Sequence, residues 1–194
     1  MSILVLTSDT LIGTPATGNL EYNGQFYGTD SNASRAQMQR ITQGTAVAST
    51  SGTSIDFTGL PAWVKRITVM LSGVSLSGTA NPLVQIGAGS VTSSGYISSS
   101  AAVAGAGSTG MVTSTAGFIL NSSGAANTNS GHMIITSVSS TVWVSSHSAK
   151  YSTTFCMFGG GDVTLSGTLD RVRITTSNGT DTFDAGSINI IYEG

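Results

Sequence analysis

The chain has 194 residues, of which 8% are charged, and a net charge of −2. That length suits one ordinary domain with a short arm, and it is long enough to bury a core. A usual globular domain carries ~25% charge. Here the five arginines and two lysines are scattered, so no electrostatic footprint for nucleic acid is present.

Ser, Thr and 25 Gly residues take the place of charge. Thr and Ser suit the solvent side of a pleated strand, so the balance points to an extracellular or particle-bound β protein rather than a cytosolic enzyme. No stretch approaches the ~18 apolar residues of a membrane span, and Met1-Ser-Ile-Leu-Val-Leu6 lacks the basic start of a signal peptide. Membrane insertion is not expected. The single cysteine, Cys156, excludes an internal disulfide. Within Phe155-Cys-Met-Phe158 it reads as a small buried hydrophobe.

Residues 1–45 read as an arm. Ile3–Leu6 is a short strand. Leu20-Glu-Tyr22 and Gln25-Phe-Tyr27 flank Asn23-Gly24, a two-residue turn signal, and predict a β-hairpin. Ser31 to Ile41 has helical propensity and reads equally well as an extended segment. The arm has too few large apolar residues to fold well alone. It is expected to dock on a neighbour through Leu20, Tyr22, Phe26 and Tyr27.

Residues 46–194 read as successive strands punctuated by Gly, Ser and Asn. The expected strands are 54–57, 64–71, 83–86, 117–120, 132–137, 141–145, 154–158, 162–165, 170–175 and 187–192. In the second, Ile67, Val69 and Leu71 share one face, with Arg66, Thr68 and Met70 on the other. In the last, Ile188 and Ile190 are expected in the core. Asn178-Gly179 marks a tight turn before it, and Pro61 fits a turn after the first strand. Residues 88–110 and 121–130 are weakly patterned and read as long loops, the usual places for binding on a sandwich. The fold expected is all-β, a β-sandwich of jelly-roll type with a short N-terminal arm and hairpin. No internal repeat marks an elongated shaft.

Catalytic chemistry has little to work with. The histidines are His132 and His147, and no Gly-x-Ser-x-Gly elbow accompanies them. Packing or rim roles are expected for both. Carboxylates at Asp162, Asp170, Asp181, Asp184 and Glu193 read as turn formers rather than an acid–base pair. Asp181 and Asp184 lack the oxygen-rich spacing of a calcium loop. Gly159-Gly-Gly161 is not followed by the Lys-Ser/Thr of a phosphate loop. The sequence therefore gives no catalytic residue, no metal ligand and no cofactor site. Ligand contacts are assigned to Trp143, Tyr96 and Asn127. Trp143 alternates with Val142 and Val144, so it faces either outward as a platform or inward as core or interface. Trp63, after Pro61, is expected to plug one end of the sandwich.

Two segments carry a resemblance. Thr14-Pro-Ala-Thr-Gly-Asn-Leu-Glu-Tyr-Asn-Gly24 resembles the recurrent TP-x-x-G-x-LEY-x-G entry to domains of tailed-bacteriophage virion proteins. The second pairs Phe57-Thr-Gly-Leu-Pro-Ala-Trp-Val-Lys-Arg-Ile-Thr-Val69 with Phe183-Asp-Ala-Gly-Ser-Ile-Asn-Ile-Ile-Tyr-Glu193. The resemblance implies a structural, non-enzymatic component of a virion, a short tail fibre or surface appendage. Residues 1–45 would attach it, and the sandwich would project outward, its loops meeting host-surface glycan or staying as a protective coat. It implies a homotrimer and other phage structural proteins as partners. Alternatives are a capsid decoration or head-fibre protein, a stand-alone carbohydrate-binding module and, more weakly, a glycan depolymerase.

Overall fold

The structure is a computed structural model describing residues 11, 13–14, 16–23, 25–32, 34–105, 107 and 109–194. Among these residues every regular element is a strand and every pairing is antiparallel, so the chain is all-β as expected. The chain divides into Met1–Arg40 and Ile41–Gly194.

The N-terminal unit holds one sheet of β1 (Leu20–Tyr22), β2 (Phe26–Thr29) and β3 (Arg35–Gln37), in that order. The expected hairpin forms, but Tyr22 pairs with Phe26, so the connection is one residue longer than a two-residue turn. The Tyr22 and Phe26 rings lie 5.0 Å apart. Residues 34–41 are extended, not helical. The Asp30 carboxylate accepts the Asn32 and Ser34 N–H groups at 2.9 Å, which turns the chain into β3. Arg35 then reaches back across the sheet to the nearly buried Glu21, with Nε 2.6 Å from Oε2. The predicted strand Ile3–Leu6 lies outside the described residues.

The second unit is a two-sheet sandwich. Its strands are β4 (Ile41–Gln43), β5 (Val47–Ala48), β6 (Ser54–Thr58), β7 (Arg66–Leu76), β8 (Pro82–Ala88), β9 (Ser90–Val91), β10 (Ile97–Ala104), β11 (Thr109–Ser114) and β12 (Phe118–Ile119). They continue with β13 (Asn129–Ser137), β14 (Val142–Lys150), β15 (Phe155–Thr164), β16 (Arg171–Thr176) and β17 (Phe183–Glu193). The larger sheet runs β11-β10-β15-β14-β13-β7-β17-β4, with β5 also on β17; the smaller runs β12-β8-β16-β6, with β9 on β8. Residues 41–45 thus belong to the sandwich and not to the arm, which moves the boundary from 45 to 40. The backbone groups of β4 and β5 bond along β17, Ile191 opposite Gln43 and Ile188 opposite Val47.

Setting aside β5, β9 and the hairpins β10–β11 and β14–β15, eight strands remain. In chain order, the first, eighth, third and sixth (β4-β17-β7-β13) lie in one sheet. The second, seventh, fourth and fifth (β6-β16-β8-β12) lie in the other. The chain therefore passes repeatedly from sheet to sheet. The Asn178-Gly179 turn forms, with Gly179 at φ 69° and the Asn178 side chain accepting the Thr180 and Asp181 N–H groups. It joins β16 of one sheet to β17 of the other.

One apolar cluster fills the space between the sheets, as alternation requires. Ile67, Val69 and Leu71 of β7 face Val172 and Ile174 of β16, Ile86 of β8 and Phe118 of β12 within this cluster. Ile188 and Ile190 are each 1% exposed, which places the closing strand in the expected phase. Trp63 packs on the cluster, with its ring 5.8 Å from that of Tyr192.

Two expectations about the middle of the chain fail. Residues 88–110 are not a loop: β10 and β11 pair from Ser98 opposite Ser114 to Val103 opposite Thr109. The inward positions of β10 are Ser98, Ser100, Ala102 and Ala104, all buried, so the strand alternates without any large apolar residue. The expected strands 154–158 and 162–165 are one strand, β15, running through Gly159-Gly-Gly161. A Cβ on Gly159 would run into the Ser99 carbonyl and stand 2.6 Å from His147 Cε1; one on Gly161 would meet the Ile97 carbonyl. These glycines let β15 lie tight against β10.

Candidate functional surfaces

Trp143 faces inward. It is 2% exposed, because the pleat of β14 sends Trp143, His147 and Ala149 to the core and Val144, Ser146 and Ser148 outward. Tyr96 is fully buried: its hydroxyl accepts the Ile86 N–H at 2.8 Å and donates to the Ile86 carbonyl at 3.2 Å. Its ring stands edge-on to Phe118, centroids 5.0 Å apart. Burial pushes the phenol up to about 12. Neither side chain is exposed, although Tyr96 lies in the lining of the groove described below. Asn127 is half-buried and turns back on its own loop, its amide donating to the Ser123 carbonyl. The three residues are therefore not gathered into one site.

The structure does bring Ser100 and His147 together. Their Oγ and Nε2 atoms are 2.9 Å apart, and Ser100 Oγ also accepts the Asn121 N–H at 3.0 Å. Ser100 is 1% exposed and His147 6%, and His147 Nδ1 has no partner among the described residues. Burial lowers the imidazole to about 4, so it is neutral at pH 7. His147 sits opposite Met133 on β13 and Gly159 on β15. A serine next to a neutral histidine is the first half of a nucleophilic pair. Here both side chains lie inside the sandwich, where they act as a hydrogen-bonded core contact. His132 is exposed on β13. Of the carboxylates expected in turns, Asp181 accepts the Ala80 N–H at 2.8 Å and Asp170 the Gly89 N–H at 3.1 Å from connecting segments, whereas Asp162 lies within β15 and Asp184 and Glu193 within β17, because those strands run on past the predicted bounds.

The larger sheet's outer face is read from the ladder. One row crosses it as Met111, Ala101, Phe158, Ser148, His132, Met70 and Asn189. The next runs Ser99, Gly160, Ser146, Ile134, Thr68, Ile191 and Gln43. A third runs Ile97, Asp162, Val144, Thr136, Arg66, Glu193 and Ile41. Exposed among them are Ile97 (72%), Met111 (71%) and Phe158 (52%). Cys156 is also exposed on β15, not buried, because strand phase sends Met157 inward and Cys156 and Phe158 out. At one end of this face, Ile97, Ser99, Thr113 and Asp162 border an open groove of about 590 Å³ with Gly160 and Gly161 in its lining. Sequence reasoning missed this groove, since β10 read as loop and β15 as two strands broken at its glycines.

The smaller sheet's outer face differs. Arg173 forms a two-pronged pair with Asp56 at 2.7 Å, and Arg171 pairs with Asp170 at 2.7 and 3.1 Å. In the N-terminal unit, Leu20 is 63% exposed and Phe26 43%, while Tyr22 and Tyr27 are half-buried. Leu20, Phe26 and Met38 line an open depression of about 420 Å³ with Gln39 and Arg40. Comparison with family models, curated proteins and solved structures finds no match for this chain.

Proposed function

We propose that this protein is a non-enzymatic structural part of a tailed-bacteriophage virion, a short fibre or surface appendage. Its N-terminal unit attaches it to the particle, and its sandwich is displayed in an assembly of like chains. The observation that carries the attachment role is the apolar depression of that unit. A unit of 40 residues that leaves Leu20, Phe26 and Met38 in solvent holds back from its own core the residues that a partner surface would cover. The three-fold copy number and the particle itself come from the phage-like segments at both ends of the chain. The sandwich's strand order, 1-8-3-6 beside 2-7-4-5, supports the jelly-roll reading common in capsid and lectin domains.

The test is incorporation into particles. Leu20→Asp with Phe26→Asp places two charges in the depression and leaves Ile41–Gly194 untouched. Particles assembled with this variant should lose the protein, while its thermal melt stays that of the parent. Normal incorporation refutes the attachment role. A second reading, glycan binding, is favoured by the groove beside Ile97 and Asp162, where an apolar ledge meets hydroxyls and a carboxylate. Binding to a glycan array that is lost in Asp162→Ala would support it.

A further inference from the structure

We propose that the outer face of the larger sheet is where a second copy of this chain packs. The inference rests on the reading of the protein as an assembled part and names the surface responsible.

The first observation is the contrast between the two outer faces. The smaller sheet presents Asp56–Arg173 and Asp170–Arg171, the ion-paired surface of a sheet that meets water. The larger sheet presents Phe158, Val144, Met111 and Ile97 to solvent. Ile134 and Ile191, half-buried, continue the apolar surface across β13 and β17. Large apolar side chains in adjoining rows, with Ser, Thr and Gly between them, mark a covered surface.

The second observation is charge. Lys150 and Arg66 stand against Asp162, Glu193 and the exposed Asp184 of β17, and Arg66 already pairs with Glu193 across the ladder. The face is close to neutral, with one carboxylate in excess. A strongly acidic or basic partner would find little complement on it, whereas a second copy brings the same low charge. Lys150 and Asp162 stand toward opposite ends of the adjacent strands β14 and β15, so the face offers charge of either sign to a neighbouring copy.

The third observation is size. Eight strands abreast at ~4.8 Å, over about six residues at ~3.3 Å, give a footprint of roughly 750 Å². That is close to the ~800 Å² per partner that a stable protein–protein interface covers.

The experiment is mass in solution by light scattering on the full chain, with Cys156 as a native reporter on the same face. The wild type should have a multiple of the 19.6 kDa chain mass at micromolar concentration, with Cys156 slow to alkylate. Phe158→Lys and Val144→Lys change exposed positions, so the fold should survive, with an unchanged circular dichroism spectrum and melt. Together they should bring the mass down to one chain and speed alkylation by tenfold or more. Thr58→Lys, on the smaller sheet, should keep the wild-type mass. A wild type of one chain mass overturns the proposal, and so does a double variant that keeps the oligomer. A single chain that binds glycan in the groove overturns it too, with the sugar as the occupant of this face. An oligomer insensitive to the double variant removes this surface and leaves the virion reading standing. Absence of an assembled chain from particles removes that reading and leaves this surface standing.

Discussion

Lowering the pH from 7 to 4 should destabilise the sandwich through His147. The imidazole is buried between β13 and β15, faces Ser100, Met133 and Gly159, and has no charged group as its hydrogen-bond partner. Burial holds it at about 4 in the folded chain, against 6.5 when unfolded. A group depressed by folding adds stability that is complete above its unfolded value and lost as pH falls through its folded value. Between these two values the unfolded chain holds one proton more, and each pH unit removes about 1.4 kcal/mol. The loss should reach about 2 kcal/mol at pH 5 and about 3 kcal/mol at pH 4, a large share of a domain's margin. Asp170 and Asp181, both held below the ordinary carboxylate range by hydrogen bonds, add acid sensitivity of their own. The assay is therefore a difference: urea unfolding of wild type and His147→Gln at pH 7, 6, 5 and 4. The gap between them should change by about 3 kcal/mol across the series, the wild type falling faster. A constant gap, or a His147 resonance titrating above pH 6, refutes the reasoning.

Ile190→Asp puts a charge at a position that is 1% exposed and should cost about 3–5 kcal/mol in denaturant unfolding, far more than Ser187→Asp on the opposite face. Gly159→Ala, which drives a methyl into the Ser99 carbonyl and the His147 ring, should cost about 1–3 kcal/mol and lower the melting temperature. Asp56→Asn weakens an exposed pair and should change unfolding free energy by less than about 1 kcal/mol, with any effect fading in salt.

The parts of the fold that were legible are those where large apolar residues mark the pleat. Ile67, Val69 and Leu71 show the phase of β7, and Ile188 and Ile190 that of β17. The β10 strand was not legible, because its inward row is Ser98, Ser100, Ala102 and Ala104. Small residues bury as well as large ones where the facing strands come close, but they leave no hydrophobic period to read. The same closeness puts three glycines into β15, and Gly-Gly-Gly reads as a break. A two-residue alternation also leaves the choice of face open. Trp143 between two valines, and Cys156 between two phenylalanines' ends of an apolar run, are settled by what the neighbouring strands bury: Met133 and Met157 fix the inward set.

The surfaces were harder to read than the core, and for a different reason. Nothing local distinguishes Phe158 from a core phenylalanine or Ser100 from a loop serine. The distinction comes from pairing, which sets Phe158 beside Ala101 and Ser148 and carries Ser100, through the fold, to His147 on a strand two places away. The contrast between the sandwich's two outer faces is likewise a product of registry. Asp56 meets Arg173 because β6 pairs with β16, while Ile134 lines up with Ile191 across Thr68 because β7 lies between β13 and β17. Each of these residues is unremarkable in sequence. Together they make one face that meets water through ion pairs and another that exposes Phe158, Met111 and Ile97 with few charges. Two of the sandwich's three described ion pairs lie on the smaller sheet, and the larger sheet, with one, carries the exposed apolar side chains.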